Sequence, residues 1–283
     1  MSNALKEKFL IFSTFLFLLF HFKTFALTYY IFGDIIIVIM DDIATALEYL
    51  NGDFLINADI IDPIIRRSAE ILYAAPDCVM AVDKLSDVIL MQTENLELAA
   101  RLLDNLPKKG VPVVAHNAAL ADLVERKLGY KKRVPCYQAV YLKDPFELPE
   151  TELEIRLLHE DEAEAAASMY RFDSDEALRH IRLGLVYGGF EKGDMVAMIG
   201  LHYQGSMGLL EVKENSRRKG YGEIMEKFLI NSQLTRGVPP YCQIIDDNTP
   251  SLCLQRKLGL YISKNKLYWM IKEDKADPCG GNS

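Results

Sequence analysis

A short segment in the second half of the chain combines two glycines with three consecutive cations. Residues 212–222 read VKENSRRKGYG and lie between a strand-like stretch, Met207 to Val212, and an amphipathic helical pattern from about Gly222 to Leu234. The glycines let the backbone approach a ligand closely, and the first amides of a helix lack partners within the helix. The helix dipole adds partial positive charge at that end. The segment therefore predicts a pyrophosphate-binding loop, and a solvated charge run is the alternative interpretation.

Two side chains near this loop could accept a proton. Glu211 alternates with Leu210 and Val212, so it faces away from the helix if those two residues pack against it. A carboxylate there could act as a general base if burial raises its pKa, or it could simply pair with Lys213 or a neighbouring strand. His202, on the preceding strand, is the second candidate because an imidazole titrates near pH ~6.5. Its alternative is a packed, hydrogen-bonded histidine.

The sequence around the loop also predicts the strands and helices that must position these residues. The second half predicts strands and helices in an alternating order, with a Lys192-Gly193 hairpin turn between the second and third strands. The predicted strands are Glu154 to Leu158, Leu185 to Glu191, Met195 to Tyr203, Met207 to Val212 and Cys242 to Ile245, and the predicted helices before the loop are Glu160 to Tyr170 and Ser174 to Leu183. In the first half, Gln138 to Leu142 reads as a strand.

Two segments of the chain repeat one order of features. Residues 110–129 read GVPVVAHNAALADLVERKLG, and residues 237–259 read GVPPYCQIIDDNTPSLCLQRKLG. Each passes from GVP through an apolar strand and an asparagine to a helix that stops on glycine, which adopts the left-handed conformation of a helix end without steric cost. The repeat predicts two related halves of mixed α/β architecture.

Composition divides the chain into four parts. Residues 1–40 are apolar, and they are interpreted as a signal peptide, a membrane anchor or, as we prefer, an extension ahead of a natural start at Met40. The first half covers 41–148 and the second 149–272, with the boundary in the acidic stretch around Pro149. Residues 273–283 predict a solvated tail.

Charge and cysteine usage exclude several classes of function. The chain has 40 acidic and 32 basic residues, a net charge of −8, so nucleic-acid binding through overall charge is not expected, and neither is membrane association. The five cysteines form no CxxC pair, which indicates neither a zinc site nor a disulfide framework. We expect no metal and a cytoplasmic location.

The loop, its flanking elements and the final helix together resemble the GNAT superfamily of acyl-CoA-dependent N-acyltransferases. Arg217, Gly220 and Gly222 fill the superfamily's pattern Arg/Gln-x-x-Gly-x-Gly/Ala, and the similarity covers about Glu154 to Met270. The paired halves are similar to glycine N-acyltransferase-like proteins. The resemblance implies a mixed α/β sheet opened like a V, with acetyl-CoA as co-substrate and its pantetheine arm between two parting strands. The cofactor-binding residues that it implies are Leu210, Val212, Arg217, Arg218, Lys219, Gly220, Tyr221, Gly222, Asn248 and Ser251.

Two departures from the pattern limit what the resemblance implies. The corresponding loop of the first half, residues 92–96, reads QTENL without a glycine, so we expect this half to be degenerate and to bind no coenzyme A. It would instead shape the acceptor pocket or support the sheet. Gln255 stands where the superfamily often has a tyrosine that protonates the leaving thiolate, which leaves the general acid open.

The function predicted from the sequence is transfer of an acetyl or short acyl group from coenzyme A to the amine of a small molecule or amino acid, by direct attack on the thioester. The catalytic candidates are Glu211 and His202. A non-catalytic acyl-CoA sensor or interaction module, or a protein N-acetyltransferase, is the alternative. The acceptor, the acyl-chain length and the oligomeric state are not readable from the residues.

Overall fold

The computed structural model describes residues 33–170 and 173–272, with side chains from residue 42 onward. The first half contains helices α1 (Gly33–Leu50), α2 (Phe54–Ile65), α3 (Leu96–Asp104) and α4 (Ala118–Leu128), with strands β1 (Ala69–Ala75), β2 (Cys78–Asp83), β3 (Val88–Thr93), β4 (Val113–Ala115) and β5 (Lys132–Val140). The second half contains helices α5 (Ala163–Tyr170), α6 (Ser174–Arg182), α7 (Tyr221–Thr235) and α8 (Thr249–Leu258), with strands β6 (Glu154–Leu157), β7 (Val186–Glu191), β8 (Asp194–Leu201), β9 (Met207–Val212), β10 (Tyr241–Ile245) and β11 (Tyr261–Ile271).

The two halves repeat one sequence of elements, as predicted. Each has two helices, three antiparallel strands, a helix, a strand, a helix and a final strand, and the second half adds β6 at its start. The last helices are built alike: the Asn117 and Asn248 side chains cap the first turns of α4 and α8, and Gly129 and Gly259 end these helices at φ of 69° and 80°. The repeated letters therefore encode a repeated helix with the same start and stop signals.

The strands form two sheets of mixed direction. One sheet has the order β1-β2-β3-β4-β11-β5-β10, and the other has the order β6-β7-β8-β9. Strand β11, the last of the chain, lies between β4 and β5 and is antiparallel to both. The final strand of the second half thus completes the sheet of the first half, so the two halves share one sheet.

Strands β9 and β10 mark the opening between the sheets. They are consecutive strands joined by the α7 crossover, but β9 pairs with β8 and β10 pairs with β5, and no ladder joins β9 to β10. The equivalent strands of the first half, β3 and β4, do form a parallel ladder from Ile89 to Met91. The predicted V-shaped gap is therefore present in the second half and closed in the first.

Helices cover both faces of the sheets. Helices α1 and α2 cover one face of the larger sheet around Ile60 and Trp269, and α3 and α4 cover the other face around Met91. Helices α7 and α8 pack across β8, β5 and β10, and α5 and α6 pack on the opposite face of the smaller sheet. The gap thus lies between α7 and α8 on one face and the helices α2, α5 and α6 on the other.

A buried polar chain ties the two halves behind the shared sheet. Trp269 Nε1 donates to Gln243 Oε1 at 2.7 Å, Gln243 Nε2 donates to Asp59 Oδ2 at 2.8 Å, and the other Asp59 oxygen lies 2.8 Å from His116 Nε2. His116 Nδ1 faces the carbonyl of Met91 at 3.0 Å. The Asp59 carboxylate raises the pKa of His116 against the opposing effect of burial. These contacts join α2, β4, β10 and β11.

One predicted strand is longer than expected and begins earlier. The apolar pattern predicts a strand from Gln138 to Leu142, whereas β5 runs from Lys132 to Val140. Pro135 and the cations before it resemble a loop, because proline cannot donate to a ladder. Pairing with β11 on one side extends the strand through Pro135, and its carbonyl accepts from Asp246 N on the other.

The predictions for residues 1–40 and for the tail at 273–283 concern parts of the chain whose side chains are not described. Residues 1–32 and 273–283 are not described, and α1 continues through Met40 to Leu50. Among the helices of the described ranges, none has the length and apolar character needed to cross a bilayer.

We expect Trp269→Ala to destabilise both halves together. Trp269 is 1% exposed in the strand that the halves share, and truncating a buried tryptophan costs about 3–5 kcal/mol. Urea unfolding followed by circular dichroism and by hydrogen exchange in both sheets should show one transition at lower urea. Leu85→Ala, at a turn residue that is 52% exposed, is the control with little effect. A variant whose first half stays folded after the second half melts would contradict the shared-sheet interpretation.

Candidate active site

The predicted anion loop leaves its backbone amides exposed. Arg218 and Gly220 have φ of 64° and 82°, and a Cβ at Gly220 would contact nothing within 4 Å. Helix α7 begins at Tyr221 with no side-chain cap. No hydrogen bond within the described residues uses the N–H groups of residues 218–223. These donors lie at the start of a helix, where the dipole is positive, and the space beside Gly220 is open, so the loop fits a diphosphate.

The corresponding turn of the first half is already satisfied. Asn95 caps α3 by accepting from Leu98 N at 3.1 Å, and the Asn95 amide itself donates to Thr93 Oγ1 at 2.9 Å. The Asn95 side chain also donates to the carboxylate of Asp77, which keeps negative charge at this helix start. Asn117 Nδ2 donates to the carbonyl of Thr93 at 2.9 Å and so extends the β3–β4 pairing. The start of α3 therefore has a side-chain cap and a nearby carboxylate, whereas the start of α7 has no cap and lies beside cations.

The three cations of the loop differ in their partners. Lys219 pairs with Glu191 at the end of β7 at 2.9 Å, and Tyr221 donates its hydroxyl to the same carboxylate at 2.6 Å. The hydrogen bond from Tyr221 and then that from Lys219 lower the pKa of Glu191. Arg218 is exposed and makes no ion pair with a described residue. Tyr221 is only 7% exposed, so its hydroxyl bonds to Glu191 within the fold and does not face open space.

Arg217 lies across the end of β9. Its Nε donates to the carbonyl of Val212 at 3.1 Å, and its Nη2 is 3.8 Å from Glu211 Oε2. The guanidinium is 59% exposed and the Glu211 carboxylate 40%, so this ion pair is weak. Arg217 is therefore available to an anion at the loop.

Strand β9 carries a bulge at the predicted pantetheine-binding residues. The pairing with β8 passes from Met198–Glu211 to Gly200–Gly208, so Leu209 and Leu210 oppose the single residue Ile199. Leu209 has a φ of 56° and turns towards α5 and α6. Leu210 and Val212 pack with the α7 core, as predicted. A bulge leaves backbone groups without ladder partners, here on the strand beside the gap.

The two candidate bases lie on the same face of the smaller sheet. Glu211 is opposite Met198, which belongs to the α5–α6 core, and His202 packs over Gly208, where a Cβ would lie 2.5 Å from Nε2. Burial, and then the nearby His180, lower the pKa of His202 to about 4. An imidazole with this pKa is neutral at physiological pH but a weak base. Glu211 is the candidate that retains solvent access beside the gap.

Asn248 and Ser251 begin α8 just after the carboxyl end of β10, and Asn248 Oδ1 accepts from Ser251 N at 3.1 Å. Glu223 in the first turn of α7 pairs with Lys257 in the last turn of α8, so the start of α7 contacts the far end of α8. Among the described residues, no hydrogen bond or ion pair joins Asn248 or Ser251 to the loop, and the Asn248 oxygen serves as a helix cap. Their part in donor binding stays a prediction.

A buried acid beside Gln255 was missed in the sequence. Gln255 is 3% exposed and donates to Glu226 on α7, while Gln255 Oε1 is buried without a partner. Burial raises the pKa of Glu226 to about 7, and Gln255 partly offsets this. Burial and then Glu226 raise the pKa of Cys242 on β10 well above its usual value. The periodicity of α7 places Glu226 on its inner face, and this was the available signal.

The described residues contain no cluster of three or more side chains suited to a metal ion. The candidate site consists of backbone donors, cations and one accessible carboxylate.

Comparisons with known proteins bear on the fold. The family model FR47-like protein matches residues 182–270, and no curated protein sequence matches the chain. Similar solved structures include a Drosophila protein (16% identity, TM-score 0.55, covering 69% of this chain and 74% of that one) and a GCN5-related N-acetyltransferase-like protein from Streptococcus suis (18%, 0.52, 81% and 99%). A GCN5-related N-acetyltransferase from Kribbella flavida has 12% identity, a TM-score of 0.51 and coverage of 76% and 93%.

The chain has the mixed α/β fold of the GNAT acetyltransferases among these structures, and the FR47-like family model matches its residues 182–270. The resemblance identified from the loop residues is confirmed at this level.

We expect Glu226→Gln to change how stability depends on pH. The folded chain holds a proton on Glu226 up to about pH 7, whereas the unfolded chain releases it near pH 4.5. This contribution to the free energy of unfolding is complete below pH ~4.5 and is lost as the pH rises through about 7. The variant lacks the loss and should exceed the natural chain by on the order of 3 kcal/mol at pH ~8, with little difference at pH ~4.

Urea unfolding at several pH values measures this difference. Glu223→Gln is the control on the same helix: hydrogen bonds from Lys227 and then Lys257 lower the pKa of Glu223, so this variant should shift stability slightly in the opposite direction. Equal pH profiles for the natural chain and Glu226→Gln would show that Glu226 titrates as in water.

Proposed function

We propose that the protein is an acyl-CoA-dependent N-acyltransferase that moves an acetyl or short acyl group to the amine of a small molecule or amino acid. The observation that carries this proposal is the start of α7, whose amides from 218 to 223 lack partners among the described residues and open beside two unpaired parallel strands. The same turn in the first half is capped and its strands are paired. The GNAT fold supports the coarser conclusion of acyl transfer from coenzyme A.

The loop would hold the diphosphate of the donor. Backbone N–H groups supply directed hydrogen bonds, and Arg217 and Arg218 supply charge that is not committed to strong ion pairs. Lys219 would exchange part of its contact with Glu191 for the phosphate. The net charge of the chain is −8, so binding of the diphosphate must depend on the charges at the loop itself.

The gap between β9 and β10 would take the pantetheine arm. A strand edge without a ladder partner offers N–H and C=O groups at regular spacing, which suits the amides of that arm. Near the bulge at Leu209 and Leu210, a backbone N–H could polarise the thioester carbonyl. Leu210 and Val212 hold this edge against α7.

Glu211 would accept the proton from the attacking amine, directly or through water. In this reaction the amine nitrogen bonds to the carbonyl carbon, the carbon–sulfur bond breaks, and the ammonium proton passes to the carboxylate. Arg217 Nη2 lies 3.8 Å from Glu211 Oε2, so the diphosphate and this carboxylate would compete for the guanidinium.

The structure offers no thiolate nucleophile in the gap. Cys242 is 4% exposed, and its raised pKa keeps it protonated, which favours direct attack by the amine over a cysteine-bound intermediate. The leaving thiolate of coenzyme A is stable enough to depart unaided near neutral pH, since thiols titrate near ~8.5. Gln255 need not act as an acid in this scheme.

The helices beside the gap favour a small-molecule acceptor over a protein substrate. Helix α2 and helices α5 and α6 cover the sheet faces on the Glu211 side of the gap. A cytoplasmic location is part of this proposal.

A non-catalytic acyl-CoA sensor is the second candidate. The observation that favours it is Gln255, which replaces a titratable group with an amide that is bonded to Glu226. A sensor would bind acetyl-CoA through the same loop but release no thiol.

The double variant Arg217→Glu/Gly220→Asp should abolish saturable acetyl-CoA binding measured by calorimetry, because both changes place negative charge at the anion site. Gly129→Asp is the matched control: Gly129 also has a positive φ, of 69°, and open space, but it ends α4 in the first half. It should bear a similar backbone strain with unchanged affinity. Unchanged affinity in the double variant would exclude the loop as the donor site.

Thiol release with a panel of amines distinguishes the enzyme from the sensor. We expect turnover by the natural chain, and Glu211→Gln should lower kcat by about 100-fold, which is typical of a lost general base. His202→Asn should leave the midpoint of the acidic limb of the pH profile unchanged, because His202 is neutral above its pKa of about 4. Tight acetyl-CoA binding without thiol release across the panel would support the sensor.

A further inference from the structure

One carbonyl oxygen joins three elements at the closed end of the gap. The carbonyl of Gln204, in the turn between β8 and β9, accepts from Tyr241 Oη at 2.7 Å and from Arg66 Nη2 at 2.9 Å. Tyr241 is the first residue of β10, and Arg66 follows α2 of the first half. We name these three residues, Arg66, Gln204 and Tyr241, the Gln204 clamp.

Two members of the clamp are buried, and an ion pair orients the third. Gln204 is 5% exposed and Tyr241 1% exposed, and Arg66 Nε donates to Asp62 Oδ2 at 2.8 Å, which aims the guanidinium. Gly205 follows Gln204 at a φ of 97°, and a Cβ there would lie 2.6 Å from both Arg66 Nη2 and Asp62 Oδ2. The turn can approach α2 this closely because residue 205 has no side chain.

The position of the clamp relates it to the gap. Residues 204 and 241 stand at the amino ends of β9 and β10, whereas the anion loop follows the carboxyl end of β9. No ladder joins these two strands, so their separation must be held by other contacts. At the amino ends, the hydroxyl of Tyr241 bonds β10 directly to the turn that begins β9, and Arg66 braces the same carbonyl from the first half.

We propose that Arg66 is a positioning residue through which the first half sets the separation of β9 and β10. Through the Gln204 clamp, a half that carries no anion loop of its own determines how well the second half binds its donor. The inference rests on the proposed function, because it takes the gap to be the donor site. It assigns a role in the reaction to residues far along the chain from the loop.

The shared acceptor predicts a specific pattern of effects. With either donor removed, the Gln204 carbonyl keeps one hydrogen bond, whereas removal of both leaves a buried acceptor unpaired, which is much more costly. We therefore expect synergy between the two donors. Additive effects would indicate that each residue acts separately.

The experiment compares acetyl-CoA affinity in three variants by calorimetry. Tyr241→Phe removes one donor, and Asp62→Asn/Arg66→Met removes the other without leaving a buried carboxylate unpaired. Each should raise the Kd about 3-fold, and the combination should raise it more than 30-fold, well beyond the product of the single effects. Hydrogen exchange in the chain without ligand should increase in β9 and β10 more than in β2.

The matched control is Asp122→Asn/Arg133→Met. Arg133 has the same 28% side-chain exposure as Arg66 and also pairs with an aspartate, but it lies against α4 and Tyr268. This variant should lose some stability to urea and keep the Kd of the natural chain. It separates a general loss of stability from a change in the gap.

The outcomes distinguish the inference from the proposed function. A natural chain that does not bind acetyl-CoA overturns both. Saturable binding by the natural chain with an unchanged Kd in folded clamp variants overturns this inference alone and reduces the clamp to a contact for stability. Should the combined variant not fold, Asp62→Asn/Arg66→Met decides: an unchanged Kd and unchanged exchange in β9 and β10 overturn the inference.

Discussion

The absence of hydrogen bonds between β9 and β10 is the constraint on which the rest of the second half depends. Parallel strands joined by a helical crossover normally pair, as β3 and β4 do, and leaving them apart exposes two edges of backbone donors and acceptors. Such edges are favourable only if something else satisfies them. In the proposed function the donor satisfies these edges, and the hydrogen bond from Tyr241 to the Gln204 carbonyl ties the amino ends of the two strands.

The two halves differ by a few residues at the start of one helix, and these residues decide whether that helix start is capped or open. Both have a strand, a turn and a helix in the same order, yet Asn95 caps one helix and Gly220 leaves the other uncapped. In the first half Asn117 reaches back to Thr93 and continues the strand pairing, while Asn248 only caps its own helix. The first-half turn therefore uses backbone groups in its own hydrogen bonds, whereas the corresponding N–H groups of the second half have no partner among the described residues.

Electrostatics in the core favour acyl transfer without a covalent enzyme intermediate. Burial holds His202 neutral and Cys242 protonated, so the groups that are most reactive in isolation are the least available here. Glu211 stays accessible beside the cations of the loop. In the proposed function, Glu211 is therefore the base, and the groups with shifted pKa values take no part in the reaction.

The repeat, the turns and the loop could be predicted from the residues alone, because they depend on local chemistry. Glycines at positive φ, asparagine caps and the alternation of Leu210, Glu211 and Val212 act within a few residues of one another. Folding of the whole chain was needed to show that β11 crosses into the first half, that β5 extends through Pro135, and that Arg66 reaches Gln204. The burial of Glu226 against Gln255 is a further feature of this kind. These features join residues distant in the chain, where pairing partners and burial override local preference.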